Sequence, residues 1–215
     1  MRPLLILAAL IAWKWYQEQD GGSFLGVRTV EAIEDFKNKL RGVALAVQSS
    51  LGYSARLGVS QAALESRYGQ SDLSRPTAKL DILVKGKIVR QGPANNIFGF
   101  KTGQAWIDAG NTYVLVPTID YYKKGQKMPN GEVATADGQP LKWPAPFRAY
   151  PSWDDSYRDW ARLMGISVYV ADGAPAALKA DDLGAFGRAL SIHYAPNQGY
   201  DKRLLGPAAA IGTIV

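Results

Sequence analysis

Between Val30 and Leu51 apolar side chains return every three or four positions: Val30, Ile33, Phe36, Leu40, Val43, Ala44 and Val47. That spacing lines up one face of an α-helix, with Thr29 placed to cap its start and Gly52 to end it. A second helix is expected from Ser54, an N-cap residue type, to Tyr68, with Gly69 as its stop. The period then changes. In "KLDILVKGKIVRQG" Leu80, Ile82 and Val84 alternate with polar residues, Gly86 turns the chain and Ile88 follows, which predicts a small hairpin. "ANNIFGFKTG" reads as a loop. Two β-leaning segments, "TYVLVPTIDYY" and "PFRAY", lie in residues 112–150. They flank a turn-rich stretch holding Gly125, Pro129, Asn130, Gly131 and Gly138. Helical spacing resumes after "PSWDDS", where Ser152 and Asp155 form a variant capping box and Tyr157, Trp160, Ala161 and Met164 an apolar face. Further helices are predicted near Asp181–His193 and Tyr200–Leu205. The sum is an α+β chain, mainly α, with a β-hairpin lobe inserted in its middle.

The first residues, "MRPLLILAALIAWKWYQEQDGG", stand apart. The apolar run from Pro3 to Trp13 is shorter than the roughly 20 residues that span a bilayer. Its length fits a signal-peptide core, yet bulky Trp13, Trp15 and Tyr16 occupy the region where a cleavage site would follow. Aromatics and Lys14 at its end suit a membrane interface. A retained membrane-proximal or signal-anchor helix is the leading expectation, with a cleaved signal or a helix against a protein partner as alternatives. Gly21, Gly22 and Ser23 read as a hinge. Residues 1–22 are therefore separated from a domain spanning 23–215.

The chain has 215 residues, of which 47% are hydrophobic and 20% charged, enough for a real core. It has no cysteine and one histidine, His193. Thiolate nucleophiles, cysteine metal sites and disulfides are excluded, and a Ser-His-Asp triad or multi-histidine zinc site is disfavoured. No cofactor is implied. Acid–base chemistry falls to carboxylates, tyrosines or lysines. The net charge of +6 suits an anionic partner such as a cell wall, lipid or nucleic acid. Nucleic acid is not expected, because no Lys/Arg tract is concentrated.

One carboxylate stands out. Glu65, in "SQAALESRYGQS", sits in the last turn of the second helix with Gly58, Gln61, Ala62, Tyr68 and Gly69 on its face. The small neighbours are expected to leave open space for a ligand. The negative end of the helix dipole raises the pKa of a carboxyl placed there, and Tyr68 in a partly enclosed cleft acts in the same direction. A carboxylic acid kept protonated is what glycosidic bond cleavage uses as general acid. The competing reading is a solvated glutamate at a helix end.

"QAALESRYGQS", "NNIFGFKTG", "FRAYPSWDDSYRDWARLM" and "YAPNQGYDKRLL", in that order, resemble the glucosaminidases of glycoside hydrolase family 73, which include flagellar peptidoglycan hydrolases and autolysins. The resemblance covers roughly residues 45 to 206 and implies a lysozyme-like domain. It implies a peptidoglycan glycan strand as substrate and bacterial envelope, periplasm or phage virion as location. Glu65 falls on the family's catalytic acid. Asp120, in "PTIDYYKKG", falls where many relatives carry a second acid, usually glutamate. Tyr194 falls on a tyrosine facing the cleft and Tyr200 on a later structural one. Asn95, Asn96, Phe98 and Lys101 fall on the cleft-wall loop. Tyr68, Phe98, Trp106, Tyr121, Tyr150 and Trp153 are candidates to pack sugar faces. Phe98, Trp160 and Phe147 read as core in preference to cleft, and Asn95 and Asn96 read also as turn formers. The stretch between Ser71 and Asn95 is longer than usual in the family.

Two mechanisms stay open at this point. Asp120 is a general base for inversion if it stands about 6.5–9.5 Å from Glu65, or the substrate's 2-acetamido group attacks while Tyr194 orients it. Other readings are a muramidase or lytic transglycosylase on the same fold, or a virion or envelope component without turnover. Membrane contact through residues 3–16 and a larger virion or envelope assembly are the partners expected besides the glycan.

Overall fold

The computed structural model describes residues 29–195 and 199–215. The expected N-terminal apolar helix lies outside the described residues. Helix α1 (Val30–Leu51) starts at Thr29, whose hydroxyl accepts the Ala32 N–H, and ends at Gly52 in the left-handed conformation. Helix α2 (Ala55–Ser66) is capped by Ser54, which accepts the Leu57 N–H at 3.1 Å. Strands β1 (Leu80–Val84) and β2 (Lys87–Gly92) follow, then a short helix α3 (Gln104–Asp108). Long strands β3 (Tyr113–Tyr122) and β4 (Gln139–Arg148) complete an antiparallel sheet of order β2-β1-β3-β4. The chain returns to helices α4 (Trp153–Met164), α5 (Ser167–Ala171), α6 (Ala174–Lys179), α7 (Leu183–His193) and α8 (Tyr200–Ile211).

The last helix runs well past the expected Leu205 and carries Pro207 inside it. Helices α3, α5 and α6 were not anticipated, since five or six residues hold too little periodicity to read. The two hairpins share one sheet, joined where Leu83 pairs with Tyr113. Among the described residues no helix is long and apolar enough to cross a membrane.

Two cores result. The larger lies among the helices and buries Phe36, Leu40, Leu57, Phe98, Tyr157, Trp160, Phe186, Tyr200 and Leu204. The smaller lies under the sheet and contains Ile82, Ala94, Val114, Ala145, Phe147 and Ala149. The 94–101 loop stitches them together. The Asn96 amide donates to the Phe100 and Arg148 carbonyls, both at 2.9 Å, and its oxygen accepts the Phe100 N–H at 3.0 Å. The Asn95 amide donates to the Tyr150 and Pro151 carbonyls at 3.1 and 2.9 Å. Lys101 then bridges to Phe147.

Candidate active site

Glu65 stands one residue before the end of α2, and the chain beyond it turns sharply. Arg67, Tyr68 and Gly69 all have positive φ, at 52°, 56° and 79°. Two of these are non-glycine residues in a costly conformation. Local hydrogen bonds hold it. The Tyr68 N–H donates to the Ala63 carbonyl at 3.0 Å and the Gly69 N–H to the Ser66 hydroxyl at 2.8 Å. At Gly69 a Cβ would overlap the Trp153 ring, so the turn presses against the start of α4.

The small residues beside Glu65 do not open a path for ligand, contrary to the sequence expectation. They admit aromatic rings of the core. A Cβ on Gly58 would overlap the Tyr157 hydroxyl and lie 2.8 Å from the Trp160 ring. Gln61 is fully buried and accepts the Trp160 indole N–H at 2.8 Å. Both effects press α2 onto α4 and fix the carboxyl-bearing turn.

Glu65 is half-buried. The Tyr200 hydroxyl donates to its Oε1 at 2.5 Å. Burial pushes the Glu65 pKa above its ordinary 4.5, while the Tyr200 hydrogen bond and the Arg203 charge oppose that rise. Tyr200 is the first residue of α8 and Arg203 lies three residues on, with its guanidinium 5.5 Å from the Tyr200 ring. Tyr200 is itself fully buried, and burial together with the Glu65 charge drives its pKa well above 10. It therefore remains a proton donor. Tyr200, which the sequence reading treated as structural, is the tyrosine in contact with the acid. The signal that missed it is separation: 135 residues divide the pair.

Tyr194 packs beside it, ring centroids 5.9 Å apart, and edge-on to Phe100 at 5.8 Å. Its hydroxyl donates to the Phe98 carbonyl. Burial, then the Glu65 charge, raises its pKa.

Asp120 belongs to the sheet. It shares a face of β3 with Val114 and Val116, by strand alternation. Lys101 donates to its Oδ1 and the Trp143 indole N–H to its Oδ2 at 2.9 Å. Both carboxylate oxygens are engaged. Trp143 was not singled out in the sequence. Lys101, Asp120, Tyr121, Tyr122, Gln126 and Lys127 line a groove of about 570 Å³.

Several candidate sugar-binding residues are buried or bonded within the fold. Phe98 is 1% exposed and stacks on Trp160 with centroids 5.3 Å apart, so its ring is core. Asn96 is 1% exposed and spends its amide on the backbone, as Asn95 does. Tyr150 is buried and donates to Asp159 at 2.7 Å. Trp106 lies under the Arg148 guanidinium at 4.4 Å. Tyr121 is exposed, and Tyr68 is half-buried with its ring edge-on to Phe36 at 5.7 Å. Lys101 is exposed at the groove lip.

A family model described as mannosyl-glycoprotein endo-beta-N-acetylglucosaminidase matches residues 42–210. The peptidoglycan hydrolase FlgJ of Vibrio parahaemolyticus is 26% identical over 133 residues, which are 61% of this chain and 32% of that protein. The chain thus spans about a third of the length of the curated relatives it matches. Among solved structures, a peptidoglycan hydrolase mutant from Sphingomonas sp. A1 superposes with a TM-score of 0.55 at 27% identity, covering 83% of this chain and 92% of that one. The C-terminally truncated glycoside hydrolase domain of FlgJ from Salmonella typhimurium shares the fold, with a TM-score of 0.51 at 24% identity over 82% of this chain and 95% of that one.

Proposed function

The chain belongs to the glucosaminidase family, and from that premise we propose that it is a peptidoglycan hydrolase acting as an endo-β-N-acetylglucosaminidase on the β-1,4 glycan strand. Glu65 is the general acid. It gives its proton to the glycosidic oxygen as the C1–O bond breaks, and the leaving sugar departs as an alcohol. The observation that carries this reading is the environment of Glu65: a half-buried carboxyl with a raised pKa, fixed by a permanently protonated tyrosine. Burial favours the neutral acid. The Tyr200 bond and Arg203 favour the carboxylate left after the transfer.

The anomeric carbon is then attacked by water or by the substrate's own 2-acetamido group. In the first route Asp120 takes a proton from the water, which requires it to exchange its bond to Lys101 or Trp143 for one to that water. In the second, Tyr194 orients the acetamido group, which requires its hydroxyl to leave the Phe98 carbonyl. The names of the matched relatives support a location in the cell envelope or periplasm.

The test is Glu65→Gln, which keeps shape and removes the proton. We expect lytic activity on peptidoglycan to fall by about 10²–10⁴-fold with the fold intact. Undiminished clearing in a zymogram would sink the assignment. Product analysis fixes the bond: reducing-end N-acetylglucosamine marks a glucosaminidase, a 1,6-anhydro-muramyl end a transglycosylase.

A further inference from the structure

The proposed chemistry does not use the β1–β2 hairpin. Its turn, Lys85-Gly86, has positive φ at both residues, which makes a tight two-residue connection. Among the described residues strand β2 is the edge of the sheet, paired only with β1. The pairing slips between Ile82 and Leu83, whose partners are Arg90 and Ile88, so Val89 is the extra residue of a bulge.

Ile88 is 61% exposed and Val89 56%. Exposed Leu115 joins Ile88 and Leu83 along a groove of about 470 Å³ on the outer face of the sheet. Lys79, Lys85, Lys87 and Arg90, all exposed, flank this edge from both faces, with Lys87 and Arg90 opposite Val84 and Ile82 on the face away from Leu83 and Ile88. None of the four forms an ion pair among the described residues. Asp81 is the hairpin's acid, and its carboxylate accepts from Gln91.

Edge strands are usually protected by charge and bulges, and β2 has both. Protection alone does not account for two adjacent β-branched aliphatics left in water at that edge. We propose that this hairpin docks on an anionic phospholipid surface. Its apolar ridge, Ile88 and Val89, enters the headgroup–acyl boundary while Lys79, Lys85, Lys87 and Arg90 meet lipid phosphates. Charge complementarity selects an anionic partner, and the aliphatic ridge selects lipid over wall polymer. Sugar hydroxyls and polymer phosphates offer aliphatic side chains nothing to bury against.

The test uses full-length protein with vesicles of phosphatidylcholine alone or mixed with phosphatidylglycerol, read by co-sedimentation. It requires no glycan and stands whatever bond the chain cuts. Wild type should prefer the anionic vesicles. The triple variant Lys85→Gln, Lys87→Gln, Arg90→Gln should lose that preference by about 10²-fold, at about fivefold per cation. Arg90→Gln alone, the mildest change, should lose about fivefold. Ile88→Ser with Val89→Ser should weaken binding to both vesicle types by about tenfold or more. All variants alter exposed side chains and should keep the wild-type melting temperature. An anionic preference unchanged in the triple and the Arg90 variants overturns the proposal. So does a triple variant that keeps vesicle binding but loses binding to purified wall sacculi, because the hairpin then reads polymer.

Discussion

Replacing Tyr200 by Phe removes one of the contacts that stabilise the Glu65 carboxylate. The substitution keeps the buried ring and deletes the hydroxyl that donates to Glu65 Oε1 at 2.5 Å. That bond stabilises the ionised carboxylate, so its loss lets burial raise the Glu65 pKa further. A hydrogen bond to a charged group is worth about 1.5–3 kcal/mol. That energy is withdrawn from the ionised form alone, so the apparent pKa should rise, with Arg203 still opposing the rise. If Glu65 works as the acid, kcat/KM on peptidoglycan glycan falls at high pH as that proton is lost. The alkaline limb of the profile should therefore move upward in Tyr200→Phe. Tyr200 does not titrate in this range, because its own pKa lies well above 10. A limb that stays in place or moves downward would refute the reasoning, even if the variant were less active overall.

Three further outcomes follow from the same geometry. Because the folded pKa of Glu65 is raised, the unfolded chain ionises first, and wild-type stability falls as pH climbs from about 4.5 through the folded value. Glu65→Gln should lack that fall, so urea melts across this window should show the variant gaining on wild type; parallel curves would contradict the burial argument. Asp159 receives Arg148 at 2.5 Å, Tyr150 at 2.7 Å and Arg162 at 2.7 Å, and is largely buried together with Arg148. Burial opposes the charge on Asp159, but the partners prevail and hold its pKa below 3.8, so its stabilisation is full above that value and lost as pH falls through the lower folded one. Asp159→Asn should cost about 3–5 kcal/mol at neutral pH by chemical denaturation, since Arg148 is left unpaired, and a loss below about 1 kcal/mol would count against the cluster. At Gly187 a Cβ would lie 2.6 Å from the Asp201 Cβ and 2.9 Å from its backbone nitrogen. Gly187→Ala should displace the start of α8, cost about 1–3 kcal/mol and lower kcat/KM through the adjacent Tyr200; a fully active, equally stable variant would show that α8 can shift freely.

Much of the scaffold was legible in the chain because local rules govern it. Thr29, Ser54 and Ser152 cap their helices within three residues of themselves. The change of period at residue 80 marks the sheet, since side-chain alternation along a strand is a property of the backbone. The order of four motifs carried the family, and it placed attention on Glu65. What surrounds Glu65 was decided elsewhere. Gly58 and Gly69 read as open space in a single helix, yet Tyr157, Trp160 and Trp153 fill them from a helix some 90 residues later. The choice of Tyr200 over Tyr194 depends on how closely α7 and α8 approach, which a glycine at 187 permits and no local pattern announces. Trp143 meets Asp120 only through the register of β3 on β4. The pKa of Glu65 has the same origin. The helix dipole and Tyr68 are written near it in the sequence, but burial by distant elements is its largest cause, and a charged group responds most to the removal of water around it. Dihedral preferences and caps act over a few residues, so sequence determines them. Desolvation and close packing need parts of the chain that meet only when it is folded.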